Sequence, residues 1–167
     1  ASELTQTQFE YITKVERSVR KMKSLVSDFL DATKLEMGTF ATKPGPVAIN
    51  ALLQSICDEF ESQIVQKSLL LEYHPLVTEI TITSDERLLH MIFSNLISNA
   101  VKYTPDQGKV TVHIERTEAV LQLRVRDTGI GVPVADQPLL FTKLYRASNT
   151  KTSDTEGTGL GLYVVKQ

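Results

Sequence analysis

The chain has 167 residues, 41% of them apolar, and a formal net charge of −2. That suits one ordinary domain, or a domain with an appendage, and it excludes the basic field that nucleic acid or an anionic membrane surface would need. The single cysteine, Cys57, excludes an internal disulfide framework and fits a reducing compartment. No apolar run approaches the ~18 residues needed to span a bilayer. No signal-peptide pattern opens the chain, so a soluble segment is expected.

Residues 2–37 hold no Gly or Pro. Ile12, Val15, Val19, Met22, Val26 and Phe29 recur at alternating steps of three and four, the seam of a helical bundle. Leu25 and Leu30 widen the stripe, as a bundle of more than two helices requires. Glu10 with Lys14 and Glu16 with Arg20 are spaced as i,i+4 ion pairs on the flanks. Gly38 stops the helix, and Pro44-Gly45-Pro46 follows as a non-helical linker. Next come a short strand at 47–49 and a helix capped by Asn50 and running to about Lys67, with Leu53, Ile56, Cys57, Phe60 and Ile64 on one face. Segments 68–73 and 79–83 read as strands. Ser84 or Asp85 caps a long helix over 88–101, and strands at 109–116 and 120–127 form a hairpin. A polar stretch over 132–156 precedes a glycine cluster that opens a last helix. The elements interleave without a regular βαβ rhythm, so the expected class is α+β: a two-layer sandwich with helices on one face of a mixed sheet, preceded by one long bundle helix.

Four motifs carry chemistry. In the long helix, Asn95 and Asn99 stand one turn apart on one face, beside the apolar stripe of Leu88, Met91, Ile92 and Leu96. Carboxamide oxygens suit Mg²⁺, which keeps most of its waters and phosphates. Lys102 follows Asn99 by three, within reach of the same phosphates. At the end of a strand, Asp127-Thr128-Gly129-Ile130-Gly131 offers a carboxylate to an exocyclic amine and two glycines for close backbone approach. Gly157-Thr158-Gly159-Leu160-Gly161-Leu162 exposes backbone N–H groups to phosphate at a helix start; its spacing differs from the dinucleotide fingerprint G-x-G-x-x-G. Between them lies the apolar patch Phe141, Leu144, Tyr145 with Arg146. Phe141 and Leu144 are placed to clamp a lid, and Arg146 to reach a phosphate or hold that lid. Each motif alone has an ordinary structural reading: idle amides, a common Asp-x-Gly turn, a glycine loop, a surface helix.

Together and in order, NLISNAVKYTP, DTGIG, FTKLYR and GTGLGL resemble the N, G1, F and G2 boxes of the histidine-kinase ATP-binding domain. The opening segment, ending LVSDFLDATKLEMG, is similar to the second helix of that family's dimerisation and phosphotransfer domain. The resemblance implies the Bergerat ATP-binding sandwich over 47–167, a linker at 39–46, and that second helix at 1–38. It implies ATP and Mg²⁺ as cofactors, with Asn99 on the metal and Asn95 close to phosphates and metal. It further implies Lys102 and Tyr103 covering the nucleotide, and Asp127, Gly129 and Gly131 at the adenine. Gly157, Thr158, Gly159, Leu160, Gly161 and Arg146 fall around the triphosphate and lid. The partners implied are the dimerisation domain of a homodimeric parent and a response-regulator receiver domain, with no nucleic acid, on the cytosolic side.

The same superfold serves ATPases whose pattern resembles E-L-I-x-N-A, where Glu activates the attacking water. Here Asn95 holds that place, and an amide cannot take the proton. The γ-phosphoryl is then held for another acceptor, with catalysis resting on positioning and charge stabilisation. The family's acceptor motif, H-E-[LF]-[RK]-T-P, is not in this sequence. His74, His90 and His113 lack its flanks and are read as structural, so no catalytic residue proper is assigned. Leu144 stands where a second Phe is more usual, a conservative change for packing. The chain ends six residues after Gly161, where the resemblance implies further strands and, without them, an uncovered sheet edge.

Overall fold

The computed structural model describes residues 5–118, 120–150 and 157–167, without the side chains of Glu10, Arg17, Arg20, Lys21 and Ser24. The expected pairs Glu10–Lys14 and Glu16–Arg20 therefore lie outside the described residues. The chain forms two compact units, Ala1–Phe40 and Ala41–Gln167.

The first unit is one helix, α1 (Gln6–Glu36). A reciprocal cap starts it: Gln8 N donates to Thr5 Oγ1 at 3.3 Å, and Thr5 N donates to Gln8 Oε1 at 2.9 Å. Two of the orphan donors of the first turn are satisfied this way. Gly38, at φ +62°, ends it in the left-handed conformation that glycine reaches without strain. The stripe from Ile12 to Phe29 is 47–62% exposed.

The second unit runs β1 (Gly45–Ala48), α2 (Ile49–Glu59), α3 (Glu61–Gln66), β2 (Leu70–His74), β3 (Thr81–Ser84), α4 (Glu86–Tyr103), β4 (Lys109–Arg116), β5 (Leu121–Asp127) and α5 (Gly161–Lys166). Short 3-10 turns lie at Gln137–Leu139 and Ser148–Thr150. β1 pairs antiparallel with β3. β4 is central in a mixed sheet, parallel to β2 and antiparallel to β5. Alternation along β4 buries Val110, Val112 and Ile114 while Lys109, Thr111 and His113 face the other way. Ile49, Leu53 and Ile56 of α2 and Ile97 and Val101 of α4 complete a core of fully buried side chains. Each stabilises the fold by about 1.5–3 kcal/mol relative to exposure.

Two local readings are corrected. The helix expected from Asn50 to Lys67 is broken at Phe60, whose N–H bonds Cys57 O at three residues' separation and ends α2. Phe60 and Ile64 both remain packed against the core across the break. Nor does Asn50 cap α2, which begins at Ile49. Its carboxamide instead exchanges two hydrogen bonds with the backbone of Leu76, and Glu79 from the strand side accepts the N–H groups of Asn50 and Ala51. Those backbone donors hold the Glu79 carboxyl below its usual range.

Candidate functional site

The site is organised around α4. Asp85 caps its start, accepting from Arg87 N at 3.0 Å and Lys43 N at 2.6 Å. The Arg87 side chain and these backbone donors hold the Asp85 carboxyl well below the usual carboxylate range. Further along, Asn95 Nδ2 donates to Met91 O one turn back, at 2.8 Å. One of its two amide N–H donors is thus committed to the helix, and its oxygen lies towards α5. A Cβ at Gly161 would stand 2.4 Å from Asn95 Oδ1. Only glycine lets α5 start so close to α4 without a shift. Asn99 lies half-buried one turn on.

The C-terminal end of α4 meets both glycine motifs. A Cβ at Gly157 would stand 2.8 Å from Lys102 Nζ and 3.3 Å from the Tyr103 hydroxyl. A Cβ at Gly129 would stand 2.6 Å from Tyr103 O. Ile130 N donates to the same carbonyl at 3.3 Å. Asp127, at the exposed end of β5, accepts from Gly129 N at 2.8 Å through Oδ1, and among the described residues Oδ2 accepts no hydrogen bond. Gly131 is left-handed, at φ +63°. Lys102 Nζ lies 5.2 Å from the centre of the Tyr103 ring, close enough to order both.

The segment between the glycine motifs has its own hub, Asp136. It accepts from the Tyr145 hydroxyl at 2.8 Å and from Ser148 N and Oγ at 2.7 Å each. The Asp136 carboxylate raises the Tyr145 hydroxyl above its ordinary value. Arg146 donates to Thr150 O at 3.0 Å, within the same segment. Asn149 Nδ2 donates to Gly131 O at 3.0 Å, tying this segment to the Asp127–Gly131 loop. Gly159, at φ +71°, packs on the backbone of Leu144 and Tyr145, with Tyr145 O 2.8 Å from a Cβ built there. Thr158 Oγ1 accepts from Leu160 N, and Leu160 is 1% exposed. Phe141 and Leu144 are themselves 43% and 60% exposed, so Leu144 meets Gly159 through its backbone. Residues 151–156 of the expected lid lie outside the described residues.

Sequence reasoning missed Asp136, Asn149 and Lys67. Lys67 Nζ donates to Val101 O at 2.9 Å, to Lys102 O at 3.1 Å and to Thr104 O. All three act through partners distant in sequence or inside a polar stretch without periodicity, and no local pattern marks them. The histidines pair on the surface: His90 with Glu59 at 2.7 Å, and His74 with Glu72 at 3.6 Å.

The fold and the convergence of both glycine motifs on one helix define a class, and comparison gives it a name. Residues 84–167 match the family described as histidine kinase-, DNA gyrase B-, and HSP90-like ATPase, and the chain belongs to that family. Within it, the relatives are sensor kinases. The chain is 36% identical over 157 residues to the phosphate regulon sensor protein PhoR of Pseudomonas aeruginosa, covering 93% of this chain and 35% of that one. It is 29% identical to the signal transduction histidine-protein kinase BarA of Escherichia coli, covering 99% of this chain and 19% of that one. Among solved structures, full-length ShkA in complex with AMPPNP superposes with a TM-score of 0.78 at 28% identity, covering 99% of this chain and 34% of ShkA. The chain thus spans about a third or less of the length of these relatives. No helix among the described residues is long and apolar enough to cross a membrane.

Proposed function

We propose that residues 47–167 are the ATP-binding catalytic domain of a two-component sensor histidine kinase. It would transfer the γ-phosphoryl of ATP to a histidine on the parent's dimerisation domain, for relay to a response-regulator aspartate. Residues 1–38 are then the second helix of that dimerisation domain, and 39–46 the linker; the exposed stripe on α1 supports this. The observation that carries the reading is the placement of Gly129, Gly157 and Gly161 against Tyr103, Lys102 and Asn95. At each, a Cβ would press on a polar group: on the Tyr103 backbone at Gly129, and on the side-chain ends of Lys102 and Asn95 at Gly157 and Gly161, as suits a phosphate- and base-binding cradle.

In this reading Asp127 Oδ2 takes the adenine amine, and Gly129 and Gly131 shape that wall. Lys102 neutralises phosphate charge, and Tyr103 covers the nucleotide. The backbone from Gly157 to Gly161, with Thr158 and Leu160, follows the triphosphate, and Arg146 orders the lid. Mg²⁺ fits the donor set: Asn95 bonds the helix through an amide N–H, its oxygen accepts no hydrogen bond among the described residues, and Asn99 lies one turn away on the same helix. Asn99 would hold the ion, which neutralises phosphate charge when bound. Asn95 cannot act as general base, so hydrolysis by water is disfavoured and transfer to an imidazole is favoured. The location is cytosolic, where ATP is available, and the parent a homodimer.

Calorimetric titration with a non-hydrolysable ATP analogue, with and without Mg²⁺, tests the pocket. Saturable binding strengthened by Mg²⁺ and lost in Asp127→Ala is expected. Radiolabel from γ-labelled ATP should then reach a supplied dimerisation domain and not water. Steady phosphate release without an acceptor would make the protein an ATPase instead.

A further inference from the structure

We infer that Lys67, outside all four motifs, is a positioning residue for the nucleotide site. This inference rests on the nucleotide reading above. Lys67 follows α3, and its ammonium reaches across to donate to Val101 O, Lys102 O and Thr104 O, three of the last carbonyls of α4. The backbone of Lys67 is tied to the same place, since Gln107 N donates to Lys67 O at 2.9 Å. Two consequences meet at this point. First, a helix C-terminus carries unsatisfied carbonyls and a partial negative charge. Here that end lies beside Lys102 and Tyr103, which stand against Gly157, so it borders the place where the phosphates would lie. Left uncovered, those carbonyls would repel an anionic ligand and compete for the Lys102 ammonium. Lys67 places a full positive charge and three donors on them.

Second, Lys67 holds the carbonyls of the residues on either side of Tyr103, Lys102 and Thr104, but not that of Tyr103 itself. The intervening carbonyl, Tyr103 O, is left to the other side, where it accepts from Ile130 N and lies against Gly129. The carbonyls thus divide: Val101, Lys102 and Thr104 turn to Lys67, and Tyr103 turns to the Asp127–Gly131 loop. This division sets the direction in which the Lys102 and Tyr103 side chains leave the helix. Lys67 touches no reacting group; it acts through these two residues.

The test uses the full chain with Lys67→Met and Lys67→Arg, titrated with the β,γ-imido ATP analogue and, separately, with adenosine, well below each variant's melting temperature. Lys67→Met is expected to weaken the ATP analogue by about tenfold or more and adenosine by clearly less, because phosphate-facing groups are displaced most. Lys67→Arg, which keeps charge and donors, should recover most of the loss. A purely structural role would lower the melting temperature and leave affinities of the folded protein unchanged, or weaken both ligands by one factor; either result overturns the inference. If Lys67→Met does not fold, Lys67→Gln, which keeps a donor without charge, is judged by the same criterion. Unsubstituted protein that binds neither ligand would overturn the nucleotide reading and this inference together. Binding by the unsubstituted protein with no selective loss in the variants would overturn this inference alone.

Discussion

Replacing Gly161 by alanine separates site geometry from fold stability. The new Cβ would lie 2.4 Å from Asn95 Oδ1, 3.2 Å from Cγ and 3.8 Å from Cβ. Contacts under 3.0 Å essentially never occur, so Asn95 must retreat by about 0.6 Å. The obstructing atom is the end of a short side chain, so Asn95 can rotate aside. Doing so breaks its bond to Met91 O, at about 0.5–1.5 kcal/mol, and strains its rotamer by a similar ~0.5–1.5 kcal/mol. Against this, alanine is favoured over glycine in a helix by about 0.5–1 kcal/mol. The net loss of stability is roughly 0–2.5 kcal/mol, small enough to leave the protein folded. Affinity has no such offset, because the displaced Asn95 and the added methyl both intrude on the cradle. A fall of about tenfold or more in affinity for an ATP analogue is expected by calorimetry, with the melting temperature lowered by at most about 10 °C. Unchanged affinity would refute the claim that Asn95 and Gly161 border the ligand.

Gly159→Ala is a harsher change, since the new Cβ meets backbone atoms of Leu144 and Tyr145 at 2.7–2.8 Å in a left-handed conformation. It should raise protease sensitivity within 132–150 and lower nucleotide affinity, while circular dichroism of the core is retained. In acid, Asp85 has a depressed carboxyl. Its contribution is present above the unfolded value, near 3.9, and is lost as pH falls through the lower folded value. Asp85→Asn should therefore flatten the acid limb of a stability–pH curve measured by urea unfolding. In alkali, burial pushes the Cys57 thiol from 9.0 to about 11. Its contribution is complete below pH 9 and declines as pH rises towards 11. Cys57→Ala should thus reduce the alkaline loss of stability in the same assay.

Much of this was legible in the sequence for a definite reason. α4 shows itself by helical spacing from Leu88 to Val101, and β4 by strict alternation, because each buries one face. Gly38 and Asp85 mark helix ends through local backbone chemistry. The glycine motifs are visible because glycine recurs where the backbone is left-handed, at Gly131 and Gly159, or comes close to other groups, at Gly129, Gly157 and Gly161. What stayed hidden depends on long-range partners. Nothing near Asn50 indicates that Leu76 takes its amide or that Glu79 takes over the cap. The helical pattern alone continues through the break at Phe60. Lys67, Asp136 and Asn149 look like ordinary surface polar residues until their partners are known.

The parallel pairing of β2 with β4 bears on how the chain folds. Leu70 pairs with Lys109 and His74 with His113, each partner 39 positions later (109 less 70, 113 less 74), whereas Arg116 pairs with Leu121 across a tight turn. The β4–β5 hairpin can close in about 1–10 µs, while pairing β2 with β4 closes a far longer loop at a higher entropic cost. Docking of β2 is expected to come later, with few of its contacts formed at the barrier. Truncations there, such as Leu71→Ala, should accelerate unfolding and leave the refolding rate nearly constant in a chevron plot. Resistance to irreversible loss is then set by a short strand at the opposite edge of the sheet from β5.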